Sequence, residues 1–220
     1  DLWDSGGGCG TAYGPDVWFT ATVDAGNIFT IQETGATNVT LQRVSGCGFT
    51  SCVDYASSPE GLSYYNDTGA PYDLLFAVEA YSSTETGSMT VDVTSDPAPD
   101  GYVCPSAIDV SALTSWSGDL GDYADFWSGG SSCGSATGNE IWFEATVPSG
   151  NTFTMTETSS MDVILQRLAT CSDVSCEIWA DTPETISYGN TTGSDVVLHM
   201  AVEGRSATTG TITLEITNTP

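Results

Sequence analysis

Short runs in which apolar and polar residues alternate, separated by turn-forming clusters, make up most of this chain. "DVWFTATV", "NIFTIQE", "NVTLQRV", "YDLLFAVEA" and "SMTVDVT" are rich in Val, Ile, Phe, Tyr and Thr. They recur at roughly ten-residue intervals, with "DAGN", "SGCG" and "NDTG" between them, which is the pattern of short strands joined by tight turns. Within the runs, Phe29 and Ile31, Val39 and Leu41, and Met89, Val91 and Val93 fall on one side. A two-residue period of this kind turns one face to a core and leaves a threonine-rich face in water. Helical periodicity is nowhere sustained. The pattern predicts an all-β fold of packed antiparallel sheets.

The pattern occurs twice. "VWFTATVDAGNIFTIQETGATNVTLQRVSGC" (17–47) aligns without a gap with "IWFEATVPSGNTFTMTETSSMDVILQRLATC" (141–171), an offset of 141 − 17 = 124. Trp3 then matches Trp127, Cys9 matches Cys133, Trp18 matches Trp142 and Arg43 matches Arg167. Such self-similarity marks a tandem duplication. The expected organisation is a first β-sandwich repeat over 1–94, a linker over 95–101 ("SDPAPDG") and a second repeat over 102–220. Proline, aspartate and glycine in the linker fix φ or remove backbone donors, which suits a short stiff joint.

Seven cysteines divide unequally between the copies. The second holds Cys104, Cys133, Cys171 and Cys176; the first holds Cys9, Cys47 and Cys52. The short spacing predicts that Cys47 pairs with Cys52 and Cys171 with Cys176 across a turn, which leaves Cys104 for Cys133. Cys9 is then left over, either as a buried thiol or as a partner in an intermolecular bridge. The first copy also has no counterpart of "GYVCPSAIDVSALTSWSGDLGDYA" (101–124). The chain is therefore expected to be a piece of a longer repeat array, or to receive the missing strand and thiol from another subunit. Disulfides on this scale place it outside the reducing cytoplasm, extracellular or at the cell surface.

Charge narrows the partners. Arg43, Arg167 and Arg205 are the only strong cations against 29 carboxylates, giving a formal charge of −26. A surface of that sign repels phosphate backbones and anionic lipid, so neither nucleic-acid binding nor membrane insertion is expected. Salt or divalent cations would screen the self-repulsion.

Catalytic chemistry finds little to work with. The single histidine, His199, lies in a predicted strand and is matched by Leu75, so it reads as a packed strand residue. Without a second histidine, a His-based zinc site is excluded. Glu33 and Glu157, and Glu79 and Glu203, fall at equivalent strand ends, but nothing in the spacing sets two carboxyls across a sugar. A candidate calcium loop is offered by Asp119, Asp122 and Asp125 in "GDLGDYAD", hard oxygens at three-residue spacing. Arg43 and Arg167 are expected in structural ion pairs and the four matched tryptophans as core anchors. "NVT" at 38, "NDT" at 66 and "NTT" at 190 fit the N-glycosylation acceptor pattern, and the last two also read as Asn-Gly turns.

"GNEIWFEATVPSGNTFTMTETSSMDVILQRLATC" followed by "ETISYGNTTGSDVVLHMAVEGRSATTGTITLEIT" resembles the bacterial pre-peptidase C-terminal (PPC) type domain, in the cysteine-containing variety carried in tandem by secreted proteins. The resemblance implies a jelly-roll-like, non-catalytic module serving secretion, stability, adhesion or substrate contact. The expected function is that of an extracellular structural or adhesive repeat protein, a subunit of a surface fibre joined by strand complementation. Its partners would be other copies of itself or the rest of an array. The competing expectation is a binding accessory of a larger secreted hydrolase, with a polysaccharide or protein ligand.

Overall fold

The computed structural model describes residues 12–35, 37–46, 52–57, 60–127, 130–171, 175–206 and 209–220. Among them no α-helix forms; strands and three short 3-10 turns account for the regular structure. The chain divides into two compact units, Asp1–Ala98 and Pro99–Pro220.

The first unit contains β1 (Asp16–Val23), β2 (Asn27–Glu33), β3 (Val39–Val44), β4 (Cys52–Ala56), β5 (Gly61–Tyr65), β6 (Tyr72–Ala80) and β7 (Val91–Pro97). They form two antiparallel sheets, ordered β1-β6-β3-β4 and β5-β2-β7. The alternating residues meet between the sheets: Phe29, Ile31, Val39, Leu41, Phe76 and Val78 are all buried there. Residues 95–97, expected as linker, are the end of β7 instead. Their backbone pairs with Asn27, Ile28 and Phe29 of β2, so the ladder carries the chain to the unit boundary.

The second unit repeats this plan and adds to it. Its strands are β8 (Ile108–Asp109), β9 (Ser115–Asp119), β10 (Glu140–Val147), β11 (Thr152–Glu157), β12 (Val163–Leu168), β13 (Ile178–Ala180), β14 (Thr185–Gly189), β15 (Val196–Gly204) and β16 (Thr211–Thr219). The sheets run β13-β12-β15-β10-β8 and β14-β11-β16-β9. Strands β10 to β16 correspond one by one to β1 to β7, and β8 and β9 each extend one sheet by a strand. β8 joins β10 in parallel, the one departure from the expected antiparallel pairing among the described residues.

Two local devices recur in both units. Gly14 and Gly138 each donate their amide to the opposing strand end, at Ala80 O and Gly204 O, 3.0 Å in both cases. A β-carbon on Gly14 would sit 2.6 Å from Ala80 Cβ, and one on Gly138 would collide with the backbone of Gly204 and Ser206, so only glycine permits the approach. Asn66 and Asn190 are buried at equivalent turns. Their amides donate to Val23 O and Ala70 O, and to Val147 O and Ser194 O, while their Oδ1 atoms accept from Thr68 and Thr192. Both Asn-x-Thr motifs are thus structural Asx turns whose amide hydrogens are spent inside the fold. Asn38 is the exposed one.

The disulfides correct the sequence reading. Cys104 bonds Cys171 and Cys133 bonds Cys176, with sequence separations of 67 and 43. The expected pairs Cys104–Cys133 and Cys171–Cys176 do not form. Cys171 and Cys176 lie on the long connection between β12 and β13, and each reaches a different short 3-10 turn, Cys104–Ser106 or Gly130–Cys133. Both bridges therefore tie the unit's leading segment to the connection between β12 and β13. Closing loops of this length stabilises by about 4 kcal/mol each on the chain-entropy account, against about 2 kcal/mol for the local turn bridge. In the first unit Cys52 is disulfide-bonded. Cys9 and Cys47 lie outside the described residues.

Candidate functional site

The two units differ most where the second carries β8 and β9. There, β8 covers the free side of β10 and β9 covers the free side of β16. Val110 and Leu120 from this segment enter the main core, and Ile108, Trp116 and Tyr123 pack on it. Trp116 meets the ring of Phe143 edge-on, with centroids 4.9 Å apart.

In the first unit β1 and β7 are the outermost strands of their sheets among the described residues. The consequence falls on the side chains the alternation assigns to the core. Val17 is 48 % exposed where Ile141 is 0 %, and Val93 is 53 % exposed where Ile216 is 2 %. Phe19, Ala21, Met89 and Val91 are half-buried, whereas Phe143, Ala145, Ile212 and Leu214 are fully covered. Val93 was expected inside; its face is correct, but nothing described lies over it. Each half-exposed valine forgoes about 1 kcal/mol of burial. A cavity of about 280 Å³ opens here, lined by Pro15, Val17, Val39, Val78, Gly87 and Met89 among others. Among the described residues this apolar groove lies between the outermost strands β1 and β7.

The candidate calcium residues do not converge. Asp119 turns its carboxylate onto the amide of Gly121 at 2.8 Å, capping the turn Leu120–Asp122. The charge of Asp125 acts on Glu140. The oxygens of Asp119, Asp122 and Asp125 are not among the sets lying within 4.8 Å of one another. One acidic set that does gather is Asp162, Asp181 and Glu184, where Arg205 already pairs with Asp181. Cys104, Cys171 and His199 also cluster, but the two sulfurs are bonded to each other and are not thiolate ligands. His199 Nδ1 lies 3.6 Å from Cys171 Sγ, packed beside the bridge on the outer face.

Sequence reasoning missed a buried carboxyl pair. Glu140 and Glu203 are direct cross-strand partners on β10 and β15, and both are buried. Glu140 accepts from the amides of Phe126 and Trp127, and Glu203 accepts from Gln166 at 2.8 Å. Burial pushes Glu140 up to about 8, and the carboxylates of Asp125 and Glu203 reinforce the shift against the Phe126 hydrogen bond. Burial likewise pushes Glu203 up to about 7, offset by the Gln166 bond and aided by Asp125. Gln42 and Glu79 make the equivalent pair in the first unit at 3.0 Å. The repeated Gln–Glu pair braces β3 to β6 and β12 to β15, and Glu140 and Glu203 are almost wholly buried. The signal in the sequence was the recurrence of "LQR" and "AVE" in each copy.

Arg167 forms the expected ion pair, at 3.0 Å to Glu177, and its guanidinium lies over Tyr188. Arg43 lies over Tyr64 instead, because Val53 stands where Glu177 does. Trp142 is a core anchor, packed edge-on against Trp127 in a small cluster on the outer face. Trp18 is half-buried, and Trp3 lies outside the described residues. Trp179 and Tyr55 occupy equivalent positions on β13 and β4, and both are exposed.

No family model and no curated protein matches the sequence. Among solved structures, the chain is similar to a conserved protein of unknown function from Pseudomonas aeruginosa PAO1 at 6% identity and a TM-score of 0.20, over 93% of this chain and 80% of that one. A likeness that weak carries no argument about fold or function. The two disulfides of the second unit are those of a chain that matures in an oxidising environment.

Proposed function

We propose that this chain is a non-catalytic extracellular structural or adhesive repeat protein, a subunit of an assembly joined by strand complementation. One observation carries the reading: among the described residues β1 and β7 are the outermost strands of their sheets, and Val17 and Val93 lie exposed on an apolar face that two further strands cover in the sibling unit. Adding a strand there would satisfy backbone groups and bury Val17 and Val93 together. The disulfide staples of the second unit suit a module exposed to mechanical or proteolytic stress outside the cell. The resemblance to PPC-type modules of secreted proteins points the same way.

The test is particle shape and mass at near-native salt, by negative-stain microscopy and sedimentation. Filaments or beaded oligomers that dissolve in Val17→Asp support the reading; a monodisperse monomer at every concentration and salt contradicts it.

A second reading has one observation in its favour. Tyr55 and Trp179 present aromatic rings at equivalent edge positions, as a polysaccharide-binding accessory of a secreted hydrolase would. Retention on chitin or cellulose that disappears in Trp179→Ala would favour it over assembly.

A further inference from the structure

We propose that Glu140 and Glu203 form a proton-gated latch: while the pair holds a proton it fastens residues 124–127 over an aromatic cluster, and when both carboxyls ionise that segment lifts and uncovers the cluster. The inference goes beyond the assembly reading and does not depend on it.

The geometry is that of a like-charge pair with no room for two charges. Glu140 on β10 and Glu203 on β15 are direct cross-strand partners, 0% and 1% exposed. Side chains so placed lie about 5 Å apart at Cβ, close enough that ionising one opposes ionising the other. Among the described residues no cation faces them. The leading segment brings Asp125 and Tyr102, β12 brings Gln166, and β10 itself brings the Trp142 side chain. Arg167 and Arg205 are paired with Glu177 and Asp181, and Arg43 belongs to the first unit. Glu203 Oε2 accepts from Gln166, but Glu203 Oε1 and Gln166 Oε1 are buried acceptors without a donor. An ionised Glu203 would leave charge on an oxygen that nothing solvates, whereas the neutral acid does not. Burial accordingly pushes Glu140 up to about 8 and Glu203 up to about 7.

Glu140 is also what fastens the segment. Its Oε1 accepts from the amides of Phe126 and Trp127 at 3.2 and 3.1 Å, and its own amide donates to Ala124 O. The fastened segment lays Phe126 on Tyr102, with centroids 5.2 Å apart, and Trp127 edge-on to Trp142 at 5.4 Å. Phe126 is 42% exposed, so this segment faces solvent, while β10 and β15 lie inside a sheet. Lifting the segment is therefore the least costly way to bring water to two charges. The bridges Cys104–Cys171 and Cys133–Cys176 pin the chain on either side of it, which keeps the opening local and reversible. In the first unit Asp16 stands opposite Glu79 in the same register. Asp16 is shorter and half-buried, so that unit serves as an internal control.

Amide exchange of the full oxidised chain from pH 6 to 9, corrected for the intrinsic pH dependence, tests this. Both carboxyls are held above their unfolded range, so the closed form is favoured at the acid end and lost as pH rises through 7 to 8. Protection of Phe126 and Trp127 is expected to fall at least about tenfold across that range, while 152–157 and 163–168 stay protected. Tryptophan emission should shift to the red in step. Molar salt screens surface repulsion but not a buried pair, so the fall should persist in it. Glu140→Gln should abolish the pH-dependent loss. Glu203→Gln should shrink it, since a single ionised carboxylate keeps its two amide donors. If Glu140→Gln does not fold, the wild-type profile and Glu203→Gln decide alone. A flat wild-type profile overturns the proposal, as does a profile that neither substitution changes. Simultaneous loss of protection throughout the second unit overturns it too, because that is unfolding rather than release of a latch. An equal loss in β1 and β6 of the first unit does the same.

Discussion

Glu140 and Glu203 set a pH dependence that the surface charges do not. Both are held above their ordinary range, at about 8 and about 7, so folding favours their neutral forms. Their contribution to stability is fully present below the unfolded carboxyl range near pH 4.5, and it is lost as pH rises through 7 to 8. Glu140→Gln keeps an acceptor for the Phe126 and Trp127 amides while removing the charge. It is expected to raise the melting temperature of the second unit at pH 9 by on the order of 5 °C and to change it little at pH 4. A variant that follows the wild-type pH curve throughout would show that the pair is not buried in solution. Cysteine pairing is the other residue-scale question. Cys52 is bonded and holds the place of Cys176, whose partner Cys133 is matched by Cys9. Non-reducing peptide mapping is expected to link Cys9 to Cys52, Cys104 to Cys171 and Cys133 to Cys176, with Cys47 as the odd thiol. Recovery of a Cys47–Cys52 peptide would contradict the shared blueprint. Sequence spacing misassigned these bridges because five residues of separation look like one turn, whereas the connection after β12 sends its two cysteines to different places.

At the scale of elements, the two Asx turns are the clearest case of a motif with a mechanical job. Asn190 holds the ends of three segments through Val147 O, Ser194 O and Thr192. Asn190→Ala leaves the buried Val147 carbonyl without its side-chain donor, while Ser194 O keeps Thr192, and is expected to cost about 1–2 kcal/mol, read as a lower urea midpoint for the second unit. No change would mean the turn is set by glycine and threonine alone. Most strands were legible from alternation: β1, β2 and β6 coincide with the runs that predict them, because each buries one clean face. β4, β8 and β13 were not, since edge strands of two to five residues carry too little alternation to stand out. β7 was placed early, because the residues beyond its apolar part, Ser95 to Pro97, pair through backbone alone.

For the whole molecule, the duplication was readable and the functional site was legible only in part. The sequence comparison matched the shared strands, but only the structure shows Val17 and Val93 exposed on a face that Ile141 and Ile216 bury. The main core of the first unit holds nine buried residues among those described, against seventeen in the second. Calorimetry of the isolated chain is therefore expected to resolve two transitions with the first unit melting first; one cooperative transition would contradict it. With a formal charge of −26, any association between copies should strengthen as salt rises and screens their repulsion. The most direct test of the account is amide hydrogen exchange on the unassembled chain, comparing each strand with its sibling. Backbone amides of 91–97 on the open side of β7 should exchange far faster than those of 211–219 under β9, while β3 and β12 are protected alike. Equal protection of β7 and β16 would mean that the first unit is closed by other means, and the account would fail.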